Sequence, residues 1–200
     1  IHVAIDGKYA GYIVVSDLVK EETIDAISKL KAEGIRKTVM LTGDNRTTAN
    51  EVAKAIGIDE VYSELLPGDK VEKIEELMAD RASGKDAVAF VGDGINDAPA
   101  LKLSDVSVAM GKTGSDISIE SANIVLMGHD VSKIVYLKKL ANATVKTIKF
   151  NIVASLLINF VAVILSVLGV LNPLVGAIVH NLGSILVILN ASLLYDRKFN

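Results

Sequence analysis

The chain has 200 residues, and its 21 basic and 24 acidic side chains give a net charge of −3 that does not indicate nucleic-acid binding. Cysteine is absent, which excludes disulfides, thiolate catalysis and zinc–thiolate sites from these residues. Hydrophobic residues make up 50% of the chain but are unevenly placed, because residues 150–195 contain no Asp, Glu, Lys or Arg. We therefore expect a charged globular part followed by an apolar part.

The first 34 residues predict a hairpin and a helix. Residues 1–16 alternate apolar and polar side chains around Asp6-Gly7, a strong hairpin pattern. Residues 21–33 have helical spacing and precede Gly34, where a helix is expected to end. Because the chain opens inside a strand-like pattern without an initiator methionine, we expect its start to be a cut, and no signal peptide is visible.

A buried strand over residues 37–41 runs into the polar sequence Thr42-Gly43-Asp44. We expect Thr47 and Thr48 to cap a helix over residues 49–56. The Thr42 hydroxyl and nearby backbone N–H groups are candidates to hold phosphate oxygens. An ordinary strand–loop–helix junction carries the same residue types, so both interpretations stand at this point.

The next helix is predicted to begin at residues 66–70, after a short strand at residues 61–62. Lys70 falls in its first turn, where the helix dipole disfavours a cation. Such a local inconsistency is typical of a functional position, and the alternative is a solvated lysine. The apolar stripe that this helix would bury consists of Val71, Ile74, Leu77 and Met78.

A glycine- and aspartate-rich loop follows the short apolar strand over residues 88–91. Gly92 and Gly94 let the backbone turn sharply and approach a ligand closely. Asp93 and Asp97 are expected to converge at the carboxyl end of the strand, where open α/β sheets bind ligands. Paired carboxylates there suggest Mg²⁺ and a phosphate, whereas a solvated Gly-Asp loop is the alternative.

The remaining elements of the globular part continue the alternation of strands and helices. We expect Pro99 to stop a helix from continuing through the loop. Strands are predicted over residues 106–110 and 124–126, with a short helix over residues 116–122 between them. The pattern over residues 17–127 therefore predicts a doubly wound, mostly parallel sheet of the α/β class.

Two long apolar segments predict a transmembrane hairpin. Residues 150–171 and 174–194 are each long enough to cross a hydrocarbon core of about 30 Å, and Asn172-Pro173 forms the turn. An amphipathic helix over residues 131–149 leads into the first segment. Two buried globular helices are the alternative. The charges flanking the hairpin place both ends and the α/β domain in the cytoplasm by the positive-inside rule; they are Lys133, Lys138, Lys139, Lys146, Lys149, Arg197 and Lys198.

Polar side chains inside these apolar segments mark either a ligand site or contacts between helices. His180 and Asn181 are neighbours in the second segment, and an imidazole beside an amide can bind a transition metal. Asn159 in the first segment is a third candidate. Hydrogen bonding between the helices is the competing interpretation.

Three motifs occur together and in order: Thr42-Gly43-Asp44, residues 67–70 (PGDK) and residues 92–99 (GDGINDAP). On an α/β pattern that feeds a membrane hairpin, this combination resembles the P-type ATPases, and the heavy-metal-transporting branch fits best. The resemblance covers essentially the whole chain. It implies a haloacid-dehalogenase-like doubly wound parallel sheet, followed by an all-α transmembrane hairpin.

The resemblance also assigns roles to the residues that match the motifs of the family. Asp93 would ligate Mg²⁺, and Asn96 and Asp97 would complete the polar site around the metal and phosphate. Gly92 and Gly94 would let the backbone approach them.

For the upstream motifs, the resemblance implies that Thr42 holds the transferred phosphoryl oxygens. Gly43 would allow close approach, and Asp44 would position the loop. Lys70 would neutralise charge on the phosphoryl group, as a preorganised cation does in such chemistry.

The implied protein is an ATP-driven transition-metal cation pump with Mg²⁺ and ATP as cofactors, embedded in membrane lipid. Its other partners would be the remainder of the pump: the actuator domain, the nucleotide-binding domain and further membrane helices. The implied division is residues 1–16 as the end of the nucleotide-binding domain, 17–130 as the phosphorylation domain, 131–149 as a linking helix, 150–195 as two membrane helices and 196–200 as a cytoplasmic tail.

The sequence departs from the family pattern in ways that bear on activity. The family's phosphorylated aspartate lies in a DKTGT motif, and residues 112–114 (KTG) are only a partial echo after the Mg²⁺ motif. We therefore expect this chain alone to be inactive, with ATP bound mostly by other regions. The alternatives are a split or decayed fragment acting with a complementary chain, and a membrane-anchored phosphatase of the same superfamily. The last segment has no carboxylate, so the transported metal stays open.

Overall fold

The computed structural model describes residues 2–13, 19–81, 84, 86–92, 95–111, 120–128 and 130–197. The chain divides into two compact units, Ile1–Ser132 and Lys133–Asn200. The elements of the first unit are β1 (His2–Ile5), β2 (Lys8–Tyr12), α1 (Glu21–Ala32), β3 (Val39–Leu41), α2 (Arg46–Ile56), β4 (Glu60–Tyr62), α3 (Pro67–Ala79), β5 (Ala89–Gly92), a 3₁₀ turn (Ile95–Asp97), α4 (Ala98–Leu103), β6 (Val106–Gly111) and β7 (Ile124–Met127).

Strands β1 and β2 pair in antiparallel fashion around Asp6-Gly7, as the alternation predicts. Asp6 and Gly7 have φ values of 52° and 74°, the left-handed backbone that a tight hairpin turn needs. The hairpin is a two-stranded sheet of its own.

The other strands of the first unit all pair in parallel. Strand β3 pairs with β4, and β5, β6 and β7 form a three-stranded sheet in that order. This arrangement confirms the predicted α/β class with parallel strands. Among the described strands these are two separate parallel sheets rather than one, because neither β3 nor β4 pairs with β5, β6 or β7.

The core of the first unit lies where small helical side chains face the parallel strands. Ala49 and Ala53 on α2 are each 2% exposed, and their small size lets the helix approach closely. Ile74 on α3 and Leu101 on α4 are essentially inaccessible, and each such side chain stabilises the fold by about 1.5–3 kcal/mol. Strand β6 is buried along most of its length because it is the central strand of its sheet.

Two helix starts differ from the predictions. Helix α2 begins at Arg46, and its cap is Asn45, whose Oδ1 accepts a hydrogen bond of 3.0 Å from the Thr48 N–H. Thr47 and Thr48 therefore lie inside the helix, since Asn is a better N-cap than Thr and comes first. The prediction that Pro99 stops a helix is also wrong. Pro99 is the second residue of α4, where its missing N–H has no helical partner to lose. The helix predicted over residues 116–122 lies mostly outside the described residues.

The second unit is a helical hairpin. Its first helix, α5 (Ser132–Val167), runs without interruption for 36 residues, about 54 Å at 1.5 Å per residue. The second helix, α6 (Pro173–Ser192), is capped by Asn172, whose Oδ1 accepts a 2.9 Å hydrogen bond from the Val175 N–H. Both helices are long and apolar enough to cross a membrane.

Polar contacts join the two helices of the hairpin. Asn190 Nδ2 donates to Asn151 Oδ1 at 2.7 Å, and Asn151 Nδ2 donates to the Val187 carbonyl at 3.3 Å. Gly183 is buried against Ile158, where a Cβ would make only an ordinary contact at 3.5 Å. As α5 runs on from Asn151 to Ile158, the partners on α6 run back from Asn190 to Gly183, as in an antiparallel hairpin.

Candidate functional site

The loop that follows β3 is held in a defined shape by Thr42 and Asp44. The Thr42 hydroxyl donates to Asp44 Oδ2 at 2.7 Å and accepts from the Asp44 N–H at 3.1 Å. To donate to a phosphate oxygen, this hydroxyl would have to exchange its bond to the carboxylate. Asp44 is thus placed to orient the predicted phosphate ligand Thr42.

Backbone hydrogen bonds tie this loop to the chain that follows β4. The Thr42 N–H donates to the Tyr62 carbonyl at 3.0 Å, and the Leu65 N–H donates to the Thr42 carbonyl at 3.1 Å. Gly43 passes so close to this second segment that a Cβ would lie 3.3 Å from the Leu65 carbonyl oxygen. In the described structure, therefore, the close approach that Gly43 allows is to the protein's own backbone.

A second set of predicted site residues lies where α3 meets the turn after β5. Lys70 Nζ donates to Asp97 Oδ1 at 2.8 Å, and the two side chains are only 18% and 13% exposed. This ion pair explains why a lysine is tolerated in the first turn of α3, since a carboxylate compensates for the unfavourable helix dipole. The sequence pattern alone did not reveal this partner.

Gly92, at the end of β5, leaves room for the side chain of Asp97. A Cβ on Gly92 would lie 2.9 Å from both Cβ and Oδ2 of Asp97, and 3.1 Å from the Phe90 ring. Real side chains essentially never approach so closely, and the nearest atom, Asp97 Cβ, is tied to the backbone. Gly92 therefore serves the packing of Asp97, a role that the motif did not indicate.

Only part of the predicted Mg²⁺ site lies within the described residues. Asp93 and Gly94 fall outside them, while Asn96 is exposed in the same 3₁₀ turn as Asp97. The carboxylate and amide oxygens of Asp97 and Asn96 are donors that suit a hard cation, so the residues present fit Mg²⁺ in kind. Among the described residues, no three His, Cys, Asp or Glu side chains gather.

Both groups follow the carboxyl ends of parallel strands: Thr42 and Asp44 follow β3, and Asp97 follows β5. Within the described residues, no hydrogen bond or ion pair joins one group to the other. One group offers a preorganised ammonium and carboxylate, and the other offers a hydroxyl-bearing loop. Such groups are able to bind and neutralise a phosphoryl group.

The charged side chains at the opposite, amino ends of the strands pair with each other. Arg36 before β3 forms an ion pair with Asp86 before β5, and Arg81 contacts Asp105 before β6 at 3.1 Å. Next to β4, the Lys31 ammonium and the Thr38 donors lower the pKa of Asp59 to about 2. These contacts brace the loops and do not face the predicted site residues.

The predicted metal-binding residues of the hairpin are only partly brought together. His180 Nδ1 and Asn159 Oδ1 lie 3.1 Å apart and link the two helices. Asn181 is exposed on α6. The Asn151–Asn190 pair makes a similar link, which agrees with the alternative prediction that polar side chains in the apolar segments hydrogen-bond between the helices.

Residues 1–105 match the haloacid dehalogenase-like hydrolase family, and the chain therefore belongs to the haloacid dehalogenase-like hydrolases. The chain is 45% identical over 193 residues to a zinc-transporting ATPase of Synechocystis sp., covering 96% of this chain and 26% of that protein. It is 44% identical over 170 residues to a cadmium, zinc and cobalt-transporting ATPase of Bacillus subtilis, covering 85% and 24% of the two chains.

A crystal structure of a zinc-transporting PIB-type ATPase in the E2.Pi state matches this chain with a TM-score of 0.84 at 32% identity. The match covers 96% of this chain and 31% of that one. The homologues are thus heavy-metal P-type ATPases, and they confirm the resemblance found in the motifs. The chain spans about a quarter of the length of these relatives, namely 26% of the Synechocystis protein and 24% of the Bacillus subtilis protein.

Proposed function

We propose that this chain forms the phosphate-site and final membrane-hairpin part of an ATP-driven transition-metal cation pump. The observation that carries the proposal is the largely buried Lys70–Asp97 ion pair, whose carboxylate follows the carboxyl end of β5. It occurs in a haloacid dehalogenase-like chain that also has two helices able to cross a membrane. Pumps coupled to phosphoryl transfer need both parts.

Lys70 has the properties required to stabilise a phosphoryl group during transfer. Its side chain is largely removed from water, and α3 and Asp97 hold its ammonium in place, so little reorganisation is needed when negative charge develops nearby. The Thr42 hydroxyl would bind a phosphoryl oxygen once it releases Asp44. In this proposal, both residues act on a phosphorylated aspartate supplied by another part of the pump.

Mg²⁺ would be held by Asp93 and Asp97, with Asn96 completing the polar surroundings. When bound, the ion neutralises charge on the phosphoryl oxygens. Asp97 would then position Lys70 as well as serve the metal. ATP would be bound mainly by parts of the pump other than this chain.

The proposed division places the 1–16 hairpin in the nucleotide-binding domain and residues 17–130 in the phosphorylation domain. Residues 131–149 would link to the membrane helices at residues 150–195, and residues 196–200 would form a tail. Lysines before the first span and basic residues after the second favour a cytoplasmic position for both ends.

The proposal predicts that Asp93→Ala abolishes the metal-stimulated ATPase activity of the intact pump. Activity would be measured across Zn²⁺, Cd²⁺, Co²⁺, Ni²⁺, Mn²⁺ and Cu⁺ in the reconstituted protein. Asp25→Ala is the matched control, because Asp25 is an exposed carboxylate on α1 that pairs with Lys29. Unchanged turnover in Asp93→Ala would refute the site assignment. Mg²⁺-dependent phosphate release from a simple phosphoester by this chain alone, without stimulation by a transition metal, would favour the membrane-anchored phosphatase instead.

We further propose that His180, with Asn159 and Asn181, contacts the transported cation. One relative is a zinc-transporting ATPase and another is a cadmium, zinc and cobalt-transporting ATPase. These names suggest a range of candidate metals but do not identify the metal for this chain. His180→Ala is expected to change the order in which metals stimulate the ATPase, without loss of expression.

The control for His180→Ala is Asn190→Ala, which also removes a hydrogen bond between the helices. Each loss should cost about 0.6–1.7 kcal/mol of hairpin stability. Only His180→Ala should alter the metal order. If both variants lower the thermal stability and neither alters that order, His180 serves the helix contact alone.

A further inference from the structure

The first helix of the hairpin carries charged side chains of positive sign only. From residue 131 to residue 195 the chain contains no Asp or Glu, while five lysines occur between residues 133 and 149. All five lie on α5, the helix that continues into the apolar segment. The excess of positive charge is therefore attached directly to the part of the chain that is able to cross a membrane.

Two of these lysines are placed at the edge of the apolar segment. Lys149 immediately precedes Phe150, where the uncharged run begins, and Lys146 is one turn earlier on the same side of the helix. Both side chains are exposed. At 1.5 Å per residue, Lys146 lies about 6 Å from Phe150, within the headgroup layer of about 5–7 Å that flanks the hydrocarbon core.

The apolar side chains beside them fit the same environment. Val145 and Ile148 are 50% and 51% exposed, and Phe150 is 62% exposed. Exposed apolar groups interleaved with lysines form a surface that suits the boundary between headgroups and acyl chains. The long lysine side chains are able to extend their ammonium groups toward phosphate oxygens while their methylene stems stay among apolar atoms.

We propose that Lys146 and Lys149 form a binding site for the headgroup phosphates of anionic phospholipids in the adjoining leaflet. The partner follows from charge complementarity and from the position of both lysines beside an apolar helix. The inference rests on the hairpin crossing a membrane, which belongs to the proposed function. It adds a lipid preference that the pump function does not require.

The same helix offers a matched control. Lys138 is a lysine of α5 about 18 Å from Phe150, so it lies roughly 10 Å beyond the headgroup layer, where salt screens its attraction to the membrane. The test compares Lys146→Gln/Lys149→Gln, Lys138→Gln and Lys146→Arg/Lys149→Arg, all in the full chain in neutral detergent. Fluorescently labelled phosphatidylserine and phosphatidylcholine with identical acyl chains are titrated into each variant, with glycerophosphoserine as the soluble headgroup.

We expect the unmodified chain to bind phosphatidylserine more tightly than phosphatidylcholine. The double Gln variant should bind phosphatidylserine about 25-fold more weakly, about 5-fold per lysine, with phosphatidylcholine binding unchanged. The Lys138→Gln and double Arg variants should behave as the unmodified chain does. A loss of about 5-fold or more in Lys138→Gln, or no loss in the double Gln variant, would overturn the proposal. Binding of glycerophosphoserine as tight as that of the lipid would indicate a soluble phosphate site instead.

A separate measurement distinguishes failure of this inference from failure of the proposed function. Resistance of the chain to alkaline extraction from vesicles reports whether the hairpin is integral to the membrane. An extractable chain would refute the membrane hairpin itself. A chain that resists extraction but shows no preference for phosphatidylserine would refute only the lipid site. Circular dichroism of each variant confirms that the helices are retained.

Discussion

Lys70→Met is expected to lower the metal-stimulated ATPase turnover of the intact pump by about 100-fold or more, the usual effect of removing one preorganised electrostatic group. Methionine keeps the length and apolar stem of lysine but removes the ammonium that contacts Asp97 at 2.8 Å. The variant should also unfold at a lower temperature, because Asp97, 13% exposed, is left without this cation. Both quantities are measurable on the reconstituted pump.

A double-variant comparison tests whether the Lys70–Asp97 ion pair affects turnover only through stability. Lys70→Met/Asp97→Asn removes both charges, so thermal stability should largely return while turnover stays low. Recovery of turnover along with stability would show that the ion pair only holds α3 in place. Lys73→Met is the matched control, since Lys73 is on the same helix but lies over the Tyr62 ring and pairs with Glu76. Its turnover should stay close to that of the unmodified pump.

Gly92→Ala is expected to destabilise the first unit by about 1–3 kcal/mol, the range for adding a methylene-sized group to a tightly packed position. The new Cβ would lie 2.9 Å from Asp97 Cβ, so the turn after β5 must move to relieve the clash. That movement would displace the carboxylate from Lys70 and reduce ATPase turnover too. Thermal unfolding of the full chain in detergent and ATPase assays of the intact pump would measure the two effects.

Gly68→Ala provides the comparison for Gly92→Ala. Gly68 lies in the first turn of α3, and a Cβ there would have nothing within 4 Å. Alanine should leave stability unchanged or raise it by up to about 1 kcal/mol, because glycine is a poor helix former. If Gly92→Ala behaves like Gly68→Ala in both stability and turnover, the contact between Gly92 and Asp97 does not matter for the fold or the site.

The sequence located the candidate site because its residues lie in short motifs directly after apolar strands. Thr42 and Asp97 do follow β3 and β5, as the pattern of strands and loops predicts. The sequence did not predict that the Thr42 hydroxyl donates to Asp44, or that Asp97 pairs with Lys70. Lys70 and Asp97 are 27 residues apart, and local patterns carry no information on such a contact.

In the helical hairpin, too, the sequence predicted the elements but not the contacts between them. Length and lack of charge were enough to predict two helices able to cross a membrane, since both properties are read directly from composition. Which asparagines meet across the hairpin depended on how the two helices pack. The rotation of each helix about its own axis determines which polar side chains meet, and a uniformly apolar segment does not define that rotation. The resulting pairs are Asn151 with Asn190 and Asn159 with His180.

By itself, the sequence determined the alternation of strands and helices, the parallel α/β class, the two helices able to cross a membrane and the family, because periodicity, composition and short motifs are local properties of the chain. Only the tertiary structure decided which side chains become partners. The packing of α3 against the turn after β5 pairs Lys70 with Asp97, and the absence of a side chain on Gly92 makes room for that carboxylate. These contacts depend on distances between residues far apart in the chain, and folding brings those residues together.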